Sequence, residues 1–158
     1  MRHKLAVYFL PVSFACQALA ENSPVPVDVL AWFEGCTQLT QPANGMFMDT
    51  NCADLAIQYC VIGRARDKQQ QCFVEFSKQV SLLSGKIRDD LPLSINGTTW
   101  RARGYERTYR QLVEDVFDVC DSSPVADISP DVWCDAYLKT GEWLQWRSLE
   151  RIADEVQQ

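Results

Sequence analysis

The chain has 158 residues, with 15 Lys and Arg against 21 Asp and Glu, one histidine and seven cysteines. A length of this order makes one domain the first expectation, and a net charge of −6 argues against a nucleic-acid binder, because a polyanion recruits lysine and arginine. The single histidine stands at position 3, so imidazole chemistry has almost nothing to draw on.

Residues 1–20, MRHKLAVYFLPVSFACQALA, read as a signal peptide. Arg2, His3 and Lys4 form a basic head, Leu5 to Cys16 an apolar run, and Ala18-Leu19-Ala20 a small-x-small cleavage site, so the mature chain is expected to begin at Glu21. The run is shorter than the ~20 residues that span a bilayer. No second long run follows, and stable membrane insertion is not expected. A lipoprotein alternative would use Ser13-Phe14-Ala15-Cys16, where Ser13 takes the place of the usual aliphatic residue. The expected location is periplasmic or secreted, for a single domain over 21–158. Cleavage near Ala20 removes Arg2, Lys4, His3 and Cys16, which leaves 13 basic against 21 acidic residues, a net charge of −8 and six cysteines.

After an extended Ser23-Pro24-Val25-Pro26, a short helix is predicted over Asp28–Gly35, burying Leu30 and Phe33. Asn51–Val61 is a second, with Cys52, Leu55, Tyr59 and Cys60 on or near one side. In the third, Asp67–Leu91, the apolar residues Phe73, Phe76, Val80, Leu83, Ile87 and Leu91 recur every three or four positions, which marks one buried face. Pro92 stops it, and Ser94-Ile95-Asn96-Gly97 reads as a turn. Asn96-Gly97-Thr98 also fits the N-glycosylation pattern, though a turn suffices to account for it. A fourth helix runs from about Thr99 to Cys120 through Tyr105, Tyr109, Leu112, Val116 and Phe117. The fifth begins at Ser129-Pro130-Asp131, an N-cap followed by proline at the first helical position, and continues through Cys134, Leu138, Leu144, Leu149 and Ile152. Alternating strand patterns are scarce. The expected fold is all-α, a compact bundle of about four to five helices clipped by three disulfides.

The six mature cysteines, Cys36, Cys52, Cys60, Cys72, Cys120 and Cys134, form an even set in an oxidising compartment. Zinc sites use close ligand pairs and histidine; here Cys52, Cys60 and Cys72 are separated by seven and eleven residues and no histidine survives processing. A reactive thiolate would want an imidazole or another cation beside it. Disulfides are the better reading, and neither a metal nor any other cofactor is expected. Cys52 and Cys60 stand eight apart on one predicted helix, roughly 12 Å along its axis, beyond the ~7 Å that a bridge allows between Cα atoms. They need different partners. Cys60 and Cys72 can clip the hairpin between helices two and three, Cys120 and Cys134 flank the last loop, and elimination pairs Cys36 with Cys52.

The pattern Cys52-x3-Ala56-x3-Cys60, followed by Cys72 opening a long amphipathic helix, resembles the secreted, cysteine-rich LprI-type lysozyme inhibitors. The second half fits the same outline, with Arg107, Tyr109, Arg110 and Leu112 on a helix that ends in Cys120, then Cys134-Asp-Ala-Tyr-Leu138-Lys-Thr140. Where the family often carries Leu-Asn-x-x-Tyr this chain reads Leu82-Leu83-Ser84-Gly85-Lys86, and its Gln-x-x-Trp-x-x-x-Arg segment has become Tyr109-Arg-Gln-Leu112-Val-Glu-Asp-Val116. The resemblance implies a bacterial inhibitor that docks on a lysozyme.

No catalytic residue is expected. Paired carboxylates can hydrolyse glycosides, but Asp89-Asp90 and Glu114-Asp115 are helix neighbours that point about 100° apart and read as solvated surface. Charge is unevenly spread. Lys86, Arg88, Arg101, Arg103, Arg107 and Arg110 are followed by a stretch from Gln111 to Leu138 with no basic residue, which holds Glu114, Asp115, Asp118, Asp121, Asp127, Asp131 and Asp135. The plain reading is a solvated face with helix-start carboxylates favoured by the macrodipole. The functional reading is an electronegative docking surface formed by Glu114, Asp115, Asp118 and the loop residues Asp121, Ser122, Ser123, Asp127 and Asp131, facing a lysozyme or another basic protein. A second possibility is an envelope protein that binds another protein or a glycan without inhibition; a glycan-active enzyme is a distant third. Five tryptophans, Trp32, Trp100, Trp133, Trp143 and Trp146, serve either as core or, for Trp143 and Trp146, as a carbohydrate or partner platform. The oligomeric state is not legible.

Overall fold

Local chemistry marks several of the helix ends. A computed structural model describes residues 27–40, 44–97, 99–114, 119–120 and 128–157. These form α1 (Val29–Gln38), α2 (Gly45–Val61), α3 (Arg66–Asp90), α4 (Trp100–Glu114) and α5 (Pro130–Gln157), with no strand among the described residues. Asp28 caps α1 by accepting from the Ala31 amide at 3.1 Å, and Thr99 Oγ1 accepts from the Ala102 amide at 3.2 Å where α4 begins. Pro130 opens α5 while the Ser129 carbonyl accepts from Trp133 N at 3.0 Å. The turn after α2 needs a left-handed residue, supplied by Gly63 at φ 70°. Carbonyls at that helix end are taken up by side chains: Arg64 Nε donates to Tyr59 O at 2.9 Å, and Gln69 Nε2 donates to Val61 O at 3.3 Å and Arg64 O at 2.8 Å.

The helices run alternately up and down. Trp32 meets Tyr59 while Cys36 meets Cys52, so α1 and α2 are antiparallel. Phe73 packs on Trp133 and Ser77 Oγ donates to Asp135, while Leu83 and Ile87 lie beside Trp143 and Arg147; α3 and α5 are therefore parallel and make the most extensive interface in the bundle. α4 returns between them in sequence and lies on the C-terminal half of α5, with Tyr109 edge-on to Trp146 at 5.3 Å. One core gathers Phe33, Phe73, Phe76, Val80, Trp133 and Trp143; a second joins Tyr105, Tyr109 and Leu112 of α4 to Trp146, Leu149 and Ala153 of α5. Ile87 touches both. Aromatic pairs of the Phe33–Phe76 kind, with centroids 5.1 Å apart and rings near perpendicular, add about 0.5–1.5 kcal/mol each beyond burial.

All three expected disulfides are present: Cys36–Cys52, Cys60–Cys72 and Cys120–Cys134, with Cα separations of 5.8, 5.5 and 5.6 Å. Such bridges are compatible with an oxidising, extracytoplasmic compartment. No helix among the described residues is long and apolar enough to cross a membrane. The leader and the cleavage position near Ala20 lie outside the described residues.

Three details differ from expectation. α2 starts at Gly45 rather than Asn51, because its first turns carry exposed Met46 and Phe47 and an inward Asp49, a pattern with no apolar stripe to read. Leu55 is exposed, while Ala53 and Ala56 fill the buried face between Cys52 and Cys60. α4 is helical to Glu114; Val119 and Cys120 are not helical, and Val116 and Phe117 lie outside the described residues.

Candidate functional site

Of the residues expected to form an acidic contact surface, Glu114 ends α4 and Asp131 stands in the first turn of α5, both exposed. Asp115, Asp118, Asp121, Ser122, Ser123 and Asp127 lie outside the described residues. The disulfide that brackets this segment is well anchored, since Cys120 and Cys134 both pack against the first core. Glu114 shares its helix face with Arg103, Glu106, Arg107 and Arg110, and Arg110 pairs with Glu106 at 2.5 Å. Its surroundings toward the middle of α4 are thus more basic than acidic. Asp135 accepts a hydrogen bond from Ser77 and serves the α3–α5 contact.

The platform reading of Trp143 and Trp146 does not hold. Both are 1% exposed and each anchors one of the two cores. Trp133 is also buried, and Trp32 is half-buried against Tyr59. Trp100 is the exception, 73% exposed at the start of α4, with the Arg101 guanidinium 5.6 Å from its ring centre.

A buried ionic cluster went unanticipated. Asp49 of α2 is fully buried, and its Oδ2 accepts from Arg147 Nε at 3.2 Å and from Arg151 Nη2. Thr40 Oγ1 accepts from Arg147 Nη2 at 3.0 Å and Arg151 Nη2 at 3.4 Å, and Arg147 also pairs with Glu150. Oδ1 has no partner among the described residues. Arg151 reaches Asp49 by lying across Gly45, where an added Cβ would overlap the guanidinium. The available sequence signal was a pair of arginines four apart within the apolar stripe of α5, which places both on one face.

Beside this cluster the first turn of α2, the first half of α4 and the C-terminal part of α5 enclose an open groove of about 540 Å³. Gly45 and Tyr105 form its most buried parts, Thr108, Ser148, Arg151 and Ile152 are half-buried, and Met46, Phe47, Trp100, Arg101 and Glu155 stand at its exposed edge. Arg101 pairs with Glu155 across it. The Tyr105 hydroxyl donates to Pro92 O at 2.6 Å, and burial, with Tyr109 beside it, pushes its phenol from the usual 10.0 up to about 12. Tyr105 is therefore a neutral structural donor at physiological pH.

Compared with models of known families, with curated proteins and with solved structures, the chain matches none.

Proposed function

We propose that this protein is an exported binding protein, a lysozyme inhibitor that docks on a basic lysozyme through the acidic segment around the Cys120–Cys134 bridge. The observation that best supports the reading is that bridge: its Cα atoms are 5.6 Å apart, both cysteines pack on the core, and Asp131 is exposed three residues before Cys134. The sequence it brackets carries Asp121, Asp127 and Asp131 and no basic residue. Joining the ends of a segment lowers the ordering cost of binding, and a uniformly acidic segment steers a basic partner.

Cys52, Ala56 and Cys60, spaced by four, are all buried on one face of α2, where the cysteines bridge to α1 and α3 and the alanine leaves room for close packing. A binding role is also favoured over a catalytic one by Asp89 and Asp90, the adjacent carboxylates, which are both exposed at the end of α3.

The test is surface binding of the oxidised protein to lysozymes of several classes over a range of salt. The expected result is saturable binding to at least one of them, with association slowing as the ~8 Å screening length shortens. Replacing Asp121, Asp127 and Asp131 together by asparagine should weaken binding with the helical circular-dichroism signal unchanged. Unaltered affinity and salt dependence in that variant would remove the segment from the interface.

A further inference from the structure

We propose that the groove between the first turn of α2, the first half of α4 and the C-terminal part of α5 binds a neutral saccharide, with Trp100 and Phe47 as stacking surfaces. Three independent observations converge there. First, Trp100, Phe47 and Met46 are 73, 70 and 58% exposed along one groove. Large apolar side chains clustered in solvent mark an interaction site. Arg101 lies 5.6 Å from the Trp100 ring centre, and the ring's high exposure leaves a face for a ligand.

Second, the charges of the groove are internally neutralised. Arg101 pairs with Glu155, and Arg151 with buried Asp49. An anionic ligand would compete with a carboxylate already paired to each guanidinium, so the groove offers a phosphate or sulfate group little net positive charge. Third, hydrogen-bonding capacity remains unspent. The half-buried hydroxyls of Thr108 and Ser148 have no partner among the described residues, and the Asn44 side chain does not cap α2. A purely apolar ligand would strip water from these groups and return nothing, a loss of about 1–3 kcal/mol for each group left unsatisfied.

A neutral polyol meets all three conditions. The C–H face of a sugar ring carries partial positive charge and sits against the negative face of an indole. Its hydroxyls both donate and accept, which suits Thr108, Ser148 and Asn44 as well as the lone pairs and N–H groups that the Arg101–Glu155 pair leaves over. A groove of about 540 Å³ is within the ~300–1,000 Å³ usual for small-ligand sites. The site is separate from the acidic segment: Trp100 and Glu114 stand at opposite ends of α4, roughly 21 Å apart at 1.5 Å per residue. It does not rest on the lysozyme reading.

The experiment titrates the oxidised chain with chitotriose and cellotriose, following tryptophan emission and acrylamide quenching, with a sulfated disaccharide and a neutral tripeptide as comparisons. Because Trp100 is by far the most exposed of the five tryptophans, the expected result is a saturable blue shift and reduced quenching with at least one neutral trisaccharide. Trp100→Ala should weaken binding, followed by calorimetry, by at least about tenfold with the helical signal intact. The double variant Thr108→Val/Ser148→Ala should weaken it by a smaller factor. The proposal is overturned by no saturable change with either trisaccharide up to about 10 mM. It is equally overturned by undiminished binding in both variants, or by preference for the sulfated sugar or the tripeptide.

Discussion

Asp49 concentrates the electrostatics of the fold in a single carboxylate. It is buried, two guanidiniums converge on one of its oxygens, and the side chains of Arg147 and Arg151 keep only 20 and 15% of their exposure. Asp49→Ala would leave those cations crowded together without the counter-charge, at a cost of about 3 kcal/mol, toward the low end for a broken buried pair because some water remains. The measurement is the denaturant midpoint. Gly45→Ala acts on the same contact from the other side, by driving Arg151 off its path. The double variant Gly45→Ala/Asp49→Ala should therefore be little worse than Asp49→Ala alone, the non-additivity expected of coupled neighbours.

Tyr105 makes a different prediction at the same scale. Its folded pKa lies at about 12 against 10.0 for the free phenol. A raised pKa means that the native state holds its proton longer than the unfolded state. The stability this contributes is whole below pH 10 and is lost as pH climbs through 12. Urea midpoints across that window should fall in the parent and fall less steeply in Tyr105→Phe. At neutral pH the same variant should lose about 1 kcal/mol with the Pro92 hydrogen bond.

Among the elements, α3 was the most legible in sequence because its burial is carried by large apolar residues at regular spacing. Phe73, Phe76 and Val80 are all fully buried. α5 was legible at its start, where Ser129-Pro130 fixes the first turn. The beginning of α2 was not, since its inward residue is a carboxylate and Met46 and Phe47 face solvent. Periodicity reads hydrophobic burial alone, and an ion pair that reaches across to residues 147 and 151 leaves no trace in the sequence around Asp49. The groove was hidden for the same reason, being assembled from residues near 45, 100 and 150. For the disulfides, by contrast, helix geometry excluded a Cys52–Cys60 bond, and the pairing suggested by loop position and elimination is the one present. The Cys120–Cys134 bridge joins the end of the α4 segment to the start of α5 with a sequence separation of 14. Cys120→Ser/Cys134→Ser should cost about 3 kcal/mol by loop-closure arithmetic, seen as a lower thermal midpoint. It should weaken the proposed lysozyme binding while leaving most of the helix content in place.

At the scale of the molecule, the alternating helices separate two surfaces. The groove lies where the start of α4 meets the C-terminal part of α5, while Glu114 and Asp131 stand toward the opposite end, with Asp131 roughly 25 Å along α5 from Ser148. The two proposed sites are far enough apart for a protein partner at one and a saccharide in the groove to be bound at the same time. The acidic run was legible in the sequence; which carboxylates serve the fold instead, as Asp135 does through Ser77, needed the packing. The proposed inhibition is tested by the clearing of a cell-wall suspension by lysozyme with increasing amounts of the oxidised protein. Clearing is expected to slow in proportion to added protein, with an inhibitory effect that weakens at high salt and in the Asp121/Asp127/Asp131→Asn variant. Clearing at an unchanged rate with every lysozyme class, at protein in large molar excess, would contradict it.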